Sequence, residues 1–403
     1  MSTLMMSGLK VLDLTNNIAG PVCAAMLGDH GAEVIHIEKP VYGDDCRSFP
    51  PIIDGTSTTH MFVNRNKRSV VLDLKDKNAV SALLEHAKDC DVFIESCRPG
   101  VMARLGLDYD TISRLNPRVI YCSISAYGQN GPYAGKAGYD IIAQGFSGMM
   151  YYSGEKDGEP TKCGTAVGDF VGAVNAFGSI AAALYYRQLS GIGQHIDVSL
   201  ARGLLWMTGC FDHLYTGVHR TRTGSHDASL CPYGIFRNGR GGSVVIGAVN
   251  VLLWKKLCLA MGRQELMDDP RFVTNDQRVK NSAEVIKIIE DWLGSLGSIE
   301  EAVKLLDEYG VPNTNVNSME DILQDPHVKA VGWLKGIPVP PSVSTIESRL
   351  TPVGIAGFSE TDIRTCCAPD LGEDTAAFLE AAGMRPDTVD SCLEKWGVPK
   401  GSD

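Results

Sequence analysis

The sequence predicts an α/β protein: a large domain built on a parallel sheet covered by helices, and a smaller α+β domain. Two observations carry this. Through the first half, short β-rich runs alternate with amphipathic stretches, as strand–helix–strand units require. Beyond residue 220 the order changes to a hairpin followed by several helices, a pattern that belongs to a separate block.

Lys10–Leu14 reads as the first strand and Pro21–Asp29 as a helix with proline in its opening turn. Ala32–Glu38 alternates Val, Ile and Ile as a second strand, and Ser69–Asp73 is a third. Asn78–Lys88 sets Val80, Leu83, Leu84 and Ala87 on one helical face. Asp91–Glu95 and Val119–Ser125 complete a set of apolar strands. Ile141–Met150 and Phe170–Leu189 read as helices, the second stopped by Ser190-Gly191-Ile192-Gly193 as a glycine C-cap would stop it. His195–Leu200 is a further strand, leading into an apolar helix at Arg202–Cys210, and His219–Ser229 is a polar linker. Tyr233–Val249 is a hairpin turning at Asn238-Gly239-Arg240-Gly241-Gly242, where consecutive glycines supply positive φ. Leu252–Met261, Ser282–Leu293 and Ile299–Glu308 are amphipathic helices, and Thr375–Ala382 is a helical piece of a mixed tail. The large domain is expected over residues 1–220 and the small one over 225–330.

Composition excludes several classes. Of 403 residues, 44% are hydrophobic and 21% charged, as in an ordinary globular protein. The net charge of −11 opposes nucleic-acid binding, which needs clustered Lys and Arg to neutralise phosphates. No run reaches the roughly 18 apolar residues of a membrane helix; Ala173–Tyr186 is too short and holds Asn175 and Ser179. Met1–Lys10 lacks the apolar stretch of a signal peptide. The twelve cysteines show no C-x-x-C spacing, only the adjacent Cys366-Cys367. Reduced thiols and a cytoplasmic location are expected, with no metal site, since the histidines form no H-E-x-x-H.

Motifs narrow the chemistry. Asn17-Ile18-Ala19-Gly20-Pro21 stands where a dinucleotide-binding protein would carry G-x-G-x-x-G, so hydride transfer is disfavoured. There is no G-x-x-x-x-G-K-[ST] and no G-x-S-x-G. Asn64–Ser69 holds three cations and Arg98–Arg104 two more. Basic turns beside parallel strands suit anionic ligands, although solvated surface is the commoner fate of a cation. Asp169 opens an apolar helix within Gly164-Thr165-Ala166-Val167-Gly168-Asp169-Phe170, after Ala137–Asp140. The simplest role for an acid there is an N-cap. A covalent nucleophile is compatible with that role, because a helix N-terminus favours the ionised carboxylate.

Together these residues resemble the family III CoA-transferases, which include formyl-CoA transferase, carnitine CoA-transferase and α-methylacyl-CoA racemase. The likeness runs through Gly8–Leu14 with Ala19-Gly20-Pro21, Gly31–Ile35 with Ile37–Pro40, Asn64–Ser69, Arg98-Pro99-Gly100, Gly128–Pro132 and Ala137–Asp140. It continues in Asp269–Phe272, Gly310-Val311-Pro312 and Asp325-Pro326-His327. The resemblance implies a large Rossmann-like domain completed by residues 331–403, a small domain, and an interlocked homodimer. It makes Asp169 the catalytic residue. It assigns CoA contacts to Lys39, Leu72, Met102, Arg104 and Lys136, with Arg98 a weaker addition. It places Ile18, His60, Tyr139 and the loop glycines Gly241 and Gly242 around the substrate.

Two departures from the family pattern matter. The racemase branch carries a proton-transferring His where Tyr139 stands, and a phenol with a reference pKa of about 10 is a poor base at neutral pH. Ser96 replaces a frequent Asn before Arg-Pro-Gly, putting one CoA contact in doubt. The resemblance therefore implies acyl-CoA:carboxylate CoA transfer through an aspartyl anhydride and an aspartyl-CoA thioester, with CoA and acyl-CoA as substrates and no resident cofactor. A 2-methylacyl-CoA epimerase, a thioester hydrolase and a non-catalytic CoA-binding protein are the alternatives. A small dicarboxylate such as succinate is the expected acid, held by His60, Arg237 or Arg240. Phe146, Met149 and Met150 leave a hydrophobic or branched acid open.

Overall fold

A computed structural model describes residues 4–209, 211–219 and 221–398. The end of the expected helix at Cys210, and Arg220 of the expected linker, lie outside the described residues. The chain divides into two compact units. Of the described residues, the first takes in those up to Met149, Lys162–Tyr215, and those from Val331 to Val398; the second comprises those of Met150–Thr161 and Thr216–Ala330.

The first unit is built on six strands: β1 (Lys10–Leu14), β2 (Glu33–Glu38), β3 (Lys67–Val71), β4 (Val92–Glu95), β5 (Ile120–Ser125) and β6 (Gln194–Ser199). They pair in the order β3-β2-β1-β4-β5-β6, every neighbour parallel. The order reverses between β1 and β4. Crossovers leave those two strands in opposite directions, which opens a crevice beyond their carboxyl ends where such sheets bind ligands.

Period-two alternation sends neighbouring side chains to opposite faces. Val11, Val34, Val92 and Ile120 join one core, beneath helices α1 (Ala19–Asp29), α4 (Val167–Ser190) and α5 (Leu200–Met207). Leu12, Ile35, Phe93 and Tyr121 join the other, beneath α2 (Lys77–Ala87) and two helices of the tail, α9 (Thr375–Ala381) and α10 (Pro386–Trp396). The tail also adds a two-stranded ladder, Leu334–Pro338 with Ser348–Pro352. The expected helix over 141–150 is instead two pieces, α3 (Asp140–Phe146) and a turn at Met149–Tyr152, because Gly148 takes positive φ between them.

α4 is long and apolar enough to cross a membrane by length and composition. Its small residues Gly172, Ala173 and Ala176, with Ile180 and Ala183, are buried in the core, while Val174, Tyr185, Tyr186 and Leu189 are exposed on its outer face.

In the second unit the hairpin Tyr233–Arg237/Ser243–Gly247 pairs with Asn313–Asn315 and packs on α6 (Val251–Ala260), α7 (Ser282–Ser295) and α8 (Ile299–Glu308). Arg278 is fully buried there, and its guanidinium donates to the carbonyls of Cys231, Phe272, Val273 and Val249.

The tail helices are part of the first unit's core, since Trp396 is 2% exposed against the β1–β4 face. Trp396→Ala is expected to cost about 3–5 kcal/mol, read as the shift in urea midpoint; an unchanged midpoint would mean the tail is dispensable.

Candidate active site

The crevice at the reversal point is occupied by a cavity of about 440 Å³. Its walls come from the strand ends and the loops that follow them: Asn16–Gly20 after β1, Ser96–Pro99 after β4, and Ser125–Tyr127 after β5. The segment Ala134–Tyr139 and Asp169 on α4 close it. A second cavity of about 400 Å³ lies alongside, sharing Leu14, Asn16 and Cys97 with the first, and is lined by Lys39, Leu72 and Met102.

Asp169 is the acid of the first turn of α4, not its cap. The helix begins at Val167, and Ala166 at the N-cap position offers no side-chain acceptor. Asp140 takes over that role from a neighbouring helix: its Oδ1 accepts the Gly168 N–H at 2.6 Å. Gln144 holds Asp140 in turn, donating from Nε2 to Oδ2 at 2.7 Å while its Oε1 accepts the Cys163 N–H at 2.9 Å. Asp169 is thereby left with no hydrogen bond or ion pair among the described residues. Burial pushes its pKa up to about 7, and the Asp140 charge adds to the rise. The first-turn amides pull the other way, but desolvation outweighs them.

The opposite wall is rigid. Asn16 donates its N–H to Ser96 Oγ at 2.9 Å, and its side chain exchanges hydrogen bonds with Asp45 at 2.6 and 2.8 Å. Ser96, whose replacement of asparagine put a CoA contact in doubt, fastens the two loops together. Asn17 sits at φ 73°, a strained conformation for a non-glycine residue. α1 then starts at Ala19 with Ile18 at the N-cap and no side-chain cap, leaving the first amides of the helix uncapped at the cavity wall. Gly20 is required by close approach: a Cβ there would lie 2.2 Å from Thr15 Cβ.

Of the residues predicted for the site, Asp169, Ile18, Tyr139, Arg98 and Lys136 share the first cavity. The Lys136 ammonium lies 3.7 Å from the centroid of Tyr133. Lys39, Leu72 and Met102 share the second, with Lys39 in contact with Asp45. Arg104 is exposed on Val101–Leu105 and lines neither.

His60 is a correction. It is fully buried and absent from the cavity wall, because both its nitrogens serve the fold: Nε2 donates to the Pro369 carbonyl at 3.1 Å and Nδ1 accepts from Asn64 at 3.0 Å. Burial, reinforced by the Arg47 charge, lowers its pKa to about 4. The cations of Asn64–Ser69 are likewise committed: Arg65 to Asp29, Lys67 to Asp13, and Arg68 to Glu33 and Asp374.

Gly241 and Gly242 lie at the hairpin tip of the second unit, Gly241 with φ 93°. Arg237 there donates to Ser225 and Arg240 to the Gly294 carbonyl. Phe146 and Met149 do not line the cavity; Phe146 packs edge-on against Tyr127, which does. The sequence reading missed Asn16, Asp45, Asp140 and Gln144. Asp140 and Gln144 stand four residues apart on one helix face, a spacing that signals a side-chain pair.

Comparison with known proteins agrees with this arrangement. The family model for CoA-transferase family III matches residues 6–375. The chain is 34% identical over 386 residues to succinyl-CoA:glutarate CoA-transferase of Homo sapiens, covering 93% of this chain and 85% of that one. It is 37% identical over 382 residues to acetyl-CoA:oxalate CoA-transferase of Acetobacter aceti, covering 92% and 94%. The crystal structure of a CAIB/BAIF family protein from Brucella suis superposes with a TM-score of 0.80 at 32% identity, covering 95% of this chain and all of that one. The α/β fold, its parallel sheet and this sequence likeness across nearly the whole length agree: the chain belongs to the family III CoA-transferases, enzymes that move CoA between carboxylic acids.

Proposed function

We propose that Asp169 is the covalent nucleophile of an acyl-CoA:carboxylate CoA-transferase acting on a small dicarboxylate such as succinate. The observation that carries this is a carboxylate at the wall of a cavity, largely shielded from solvent and without a hydrogen-bond or ion-pair partner among the described residues. A structural acid in that position would be capped or paired.

The cycle follows from acyl-transfer chemistry. Asp169 attacks the thioester carbonyl, and the CoA thiolate leaves, giving a mixed anhydride. The thiolate then attacks the aspartyl carbonyl and expels the first acid, storing the activation as an aspartyl-CoA thioester. The acceptor carboxylate attacks that thioester, and the two steps reverse. Each tetrahedral intermediate carries an oxyanion, for which the uncapped amides at the start of α1 are suited donors. The second cavity is of a size and apolar lining that suit the adenine end of CoA, with Lys39 on its wall to meet a phosphate, while Arg104 belongs to this reading through the resemblance alone. Arg98 and Lys136 supply positive charge for the pantetheine-side phosphate or for the far carboxylate of a dicarboxylate. The dicarboxylate names of the relatives support the latter, and Tyr139 opposes epimerisation, since its phenol is not a ready base. The loop glycines Gly241 and Gly242 belong to this reading through the resemblance alone.

The exposed apolar side chains of α4, together with Trp206 at 84% and Tyr215 at 89% exposure, favour a second copy of the chain as partner. The cysteines that are free among the described residues favour a reducing, cytoplasmic compartment.

Three outcomes are expected. With succinyl-CoA and a panel of carboxylic acids, mass spectrometry should show new CoA esters, and Asp169→Ala should lower the rate by at least ~10³-fold. Retained turnover would remove Asp169 as nucleophile, and deuterium uptake at the α-carbon without a new ester would make the enzyme an epimerase. Because Asp169 must be ionised to attack, kcat/KM should fall as pH drops through about 7; a flat profile down to about pH 5, near ordinary carboxylate values, would contradict its burial. Light scattering should give a dimer, and Trp206→Glu should shift it toward monomer.

A further inference from the structure

Beneath the catalytic cavity lies a buried ionic cluster that the transfer chemistry does not use. His36, fully buried on β2, stands between two buried carboxylates. Its Nδ1 is 2.9 Å from Asp13 Oδ2 and its Nε2 is 3.4 Å from Asp44 Oδ2, an ion-pair distance at which neither atom has another partner. Each carboxylate also holds a backbone amide of the loop after β1. Asp13 Oδ1 accepts the Thr15 N–H at 3.0 Å, and Asp44 Oδ1 accepts the Asn17 N–H at 2.9 Å. The loop between them carries the strained φ of Asn17 and leads directly to Ile18, Ala19 and Gly20 on the cavity wall.

The protonation state of His36 follows from the geometry. A neutral imidazole has one N–H, so one nitrogen would present a lone pair to a carboxylate oxygen in a dry interior. Only the imidazolium serves both neighbours. Charge balance requires the same. Asp13, Asp44 and Glu38 are three buried carboxylates; Lys67 pairs with Asp13 at 2.8 Å and Arg47 with Glu38 at 2.6 Å, leaving Asp44 to His36.

We propose that His36, bridging Asp13 and Asp44, is a positioning residue that fixes the Thr15–Asn17 turn and hence the amides of Ile18–Gly20 over the catalytic cavity. The proposal rests on the transferase reading for its kinetic consequences, but not for its structural ones.

Burial alone would lower the His36 pKa, yet Asp13 and then the Asp44 contact raise it to about 9 despite Lys67. Three neighbouring groups are held outside that range. His60 is lowered to about 4, and burial raises the thiols of Cys23 and Cys46 far above their ordinary range. Since the folded-state pKa exceeds the unfolded value, the stabilisation is complete below about 6.5 and is lost as pH rises through about 9.

The test compares the wild type, His36→Gln and the charge-balanced double variant His36→Gln/Asp44→Asn, whose Asn retains an acceptor for the Asn17 N–H. Hydrogen-exchange protection of residues 15–20 is measured at neutral pH and above about pH 9, with succinyl-CoA and glutarate for kinetics. His36→Gln should lose protection of that segment and lower kcat on the order of 10- to 100-fold, with KM for succinyl-CoA within about twofold. The double variant should recover protection and most of kcat, and its kcat profile should lack the alkaline decline near pH 9 expected of the wild type. Unchanged protection and kcat in His36→Gln would overturn the proposal, as would an alkaline decline that persists in the double variant. If the wild type gives no transfer, the transferase reading fails by itself, and the exchange measurement still decides the clamp.

Discussion

The constraint on which the site depends is the close approach of α4 to its neighbours. Gly172 leaves no room for a side chain, since a Cβ there would lie 2.3 Å from Leu200 Cδ2. Gly168 is similarly confined, since a Cβ there would lie 2.9 Å from both Leu204 Cδ1 and Asp140 Oδ1. Small residues along one face bring α4 against the helices of the sheet's upper layer and carry its first turn to the strand ends. The packing of Gly168 and Gly172 on Leu204 and Leu200 of α5 sets where the first turn of α4, and with it Asp169, meets the cavity. Packing at the rear of the helix therefore determines chemistry at its front.

Electrostatics then divides the molecule into two regimes. Beneath the cavity, the carboxylates of the His36 cluster have cations: Lys67 holds the pKa of Asp13, and Arg47 that of Glu38, below the ordinary carboxylate range against the pull of burial. At the cavity wall, Asp169 has none, and its pKa moves the other way. Buried ion pairs are weak contributors to net stability because desolvation offsets attraction. Their use here is geometric: they fix the loop that faces Asp169, so that this unpaired acid meets an ordered surface.

The strands were legible because period-two alternation is local. Lys10–Leu14 and Ile299–Glu308 stand where the pattern put them, and most other ends shifted by one to three residues. The tail was less legible because Leu334–Pro338 and Ser348–Pro352 become strands only by pairing with each other. Asp169 stood out through its small neighbours and through family likeness, but its capping role was misassigned. Asp140, which takes that role, is 28 residues away in sequence at the Gly168 amide. His60 and the cations of Asn64–Ser69 looked available because sequence shows charge but not partners. Lys67 and Asp13 are 54 residues apart and meet only across two paired strands. Polar groups that recruit distant partners were the ones a linear reading could not place.

The raised pKa of Asp169 has a consequence for how the proposed cycle partitions. In a mixed anhydride, a nucleophile that attacks one carbonyl expels the other carboxylate, and the weaker base leaves more readily. Substrate carboxylates in water titrate near the ordinary values of about 4, whereas Asp169 titrates near 7. Thiolate attack on the aspartyl carbonyl therefore expels the better leaving group, and attack on the substrate carbonyl the worse one. Desolvation thus biases the anhydride toward the aspartyl-CoA thioester and away from return to the donor. The same basicity makes ionised Asp169 a stronger nucleophile in the first step. An acid stabilised by a cation, as Asp13 is by Lys67, would lose both advantages, which accounts in physical terms for the absence of a cationic partner at the carboxylate proposed to react.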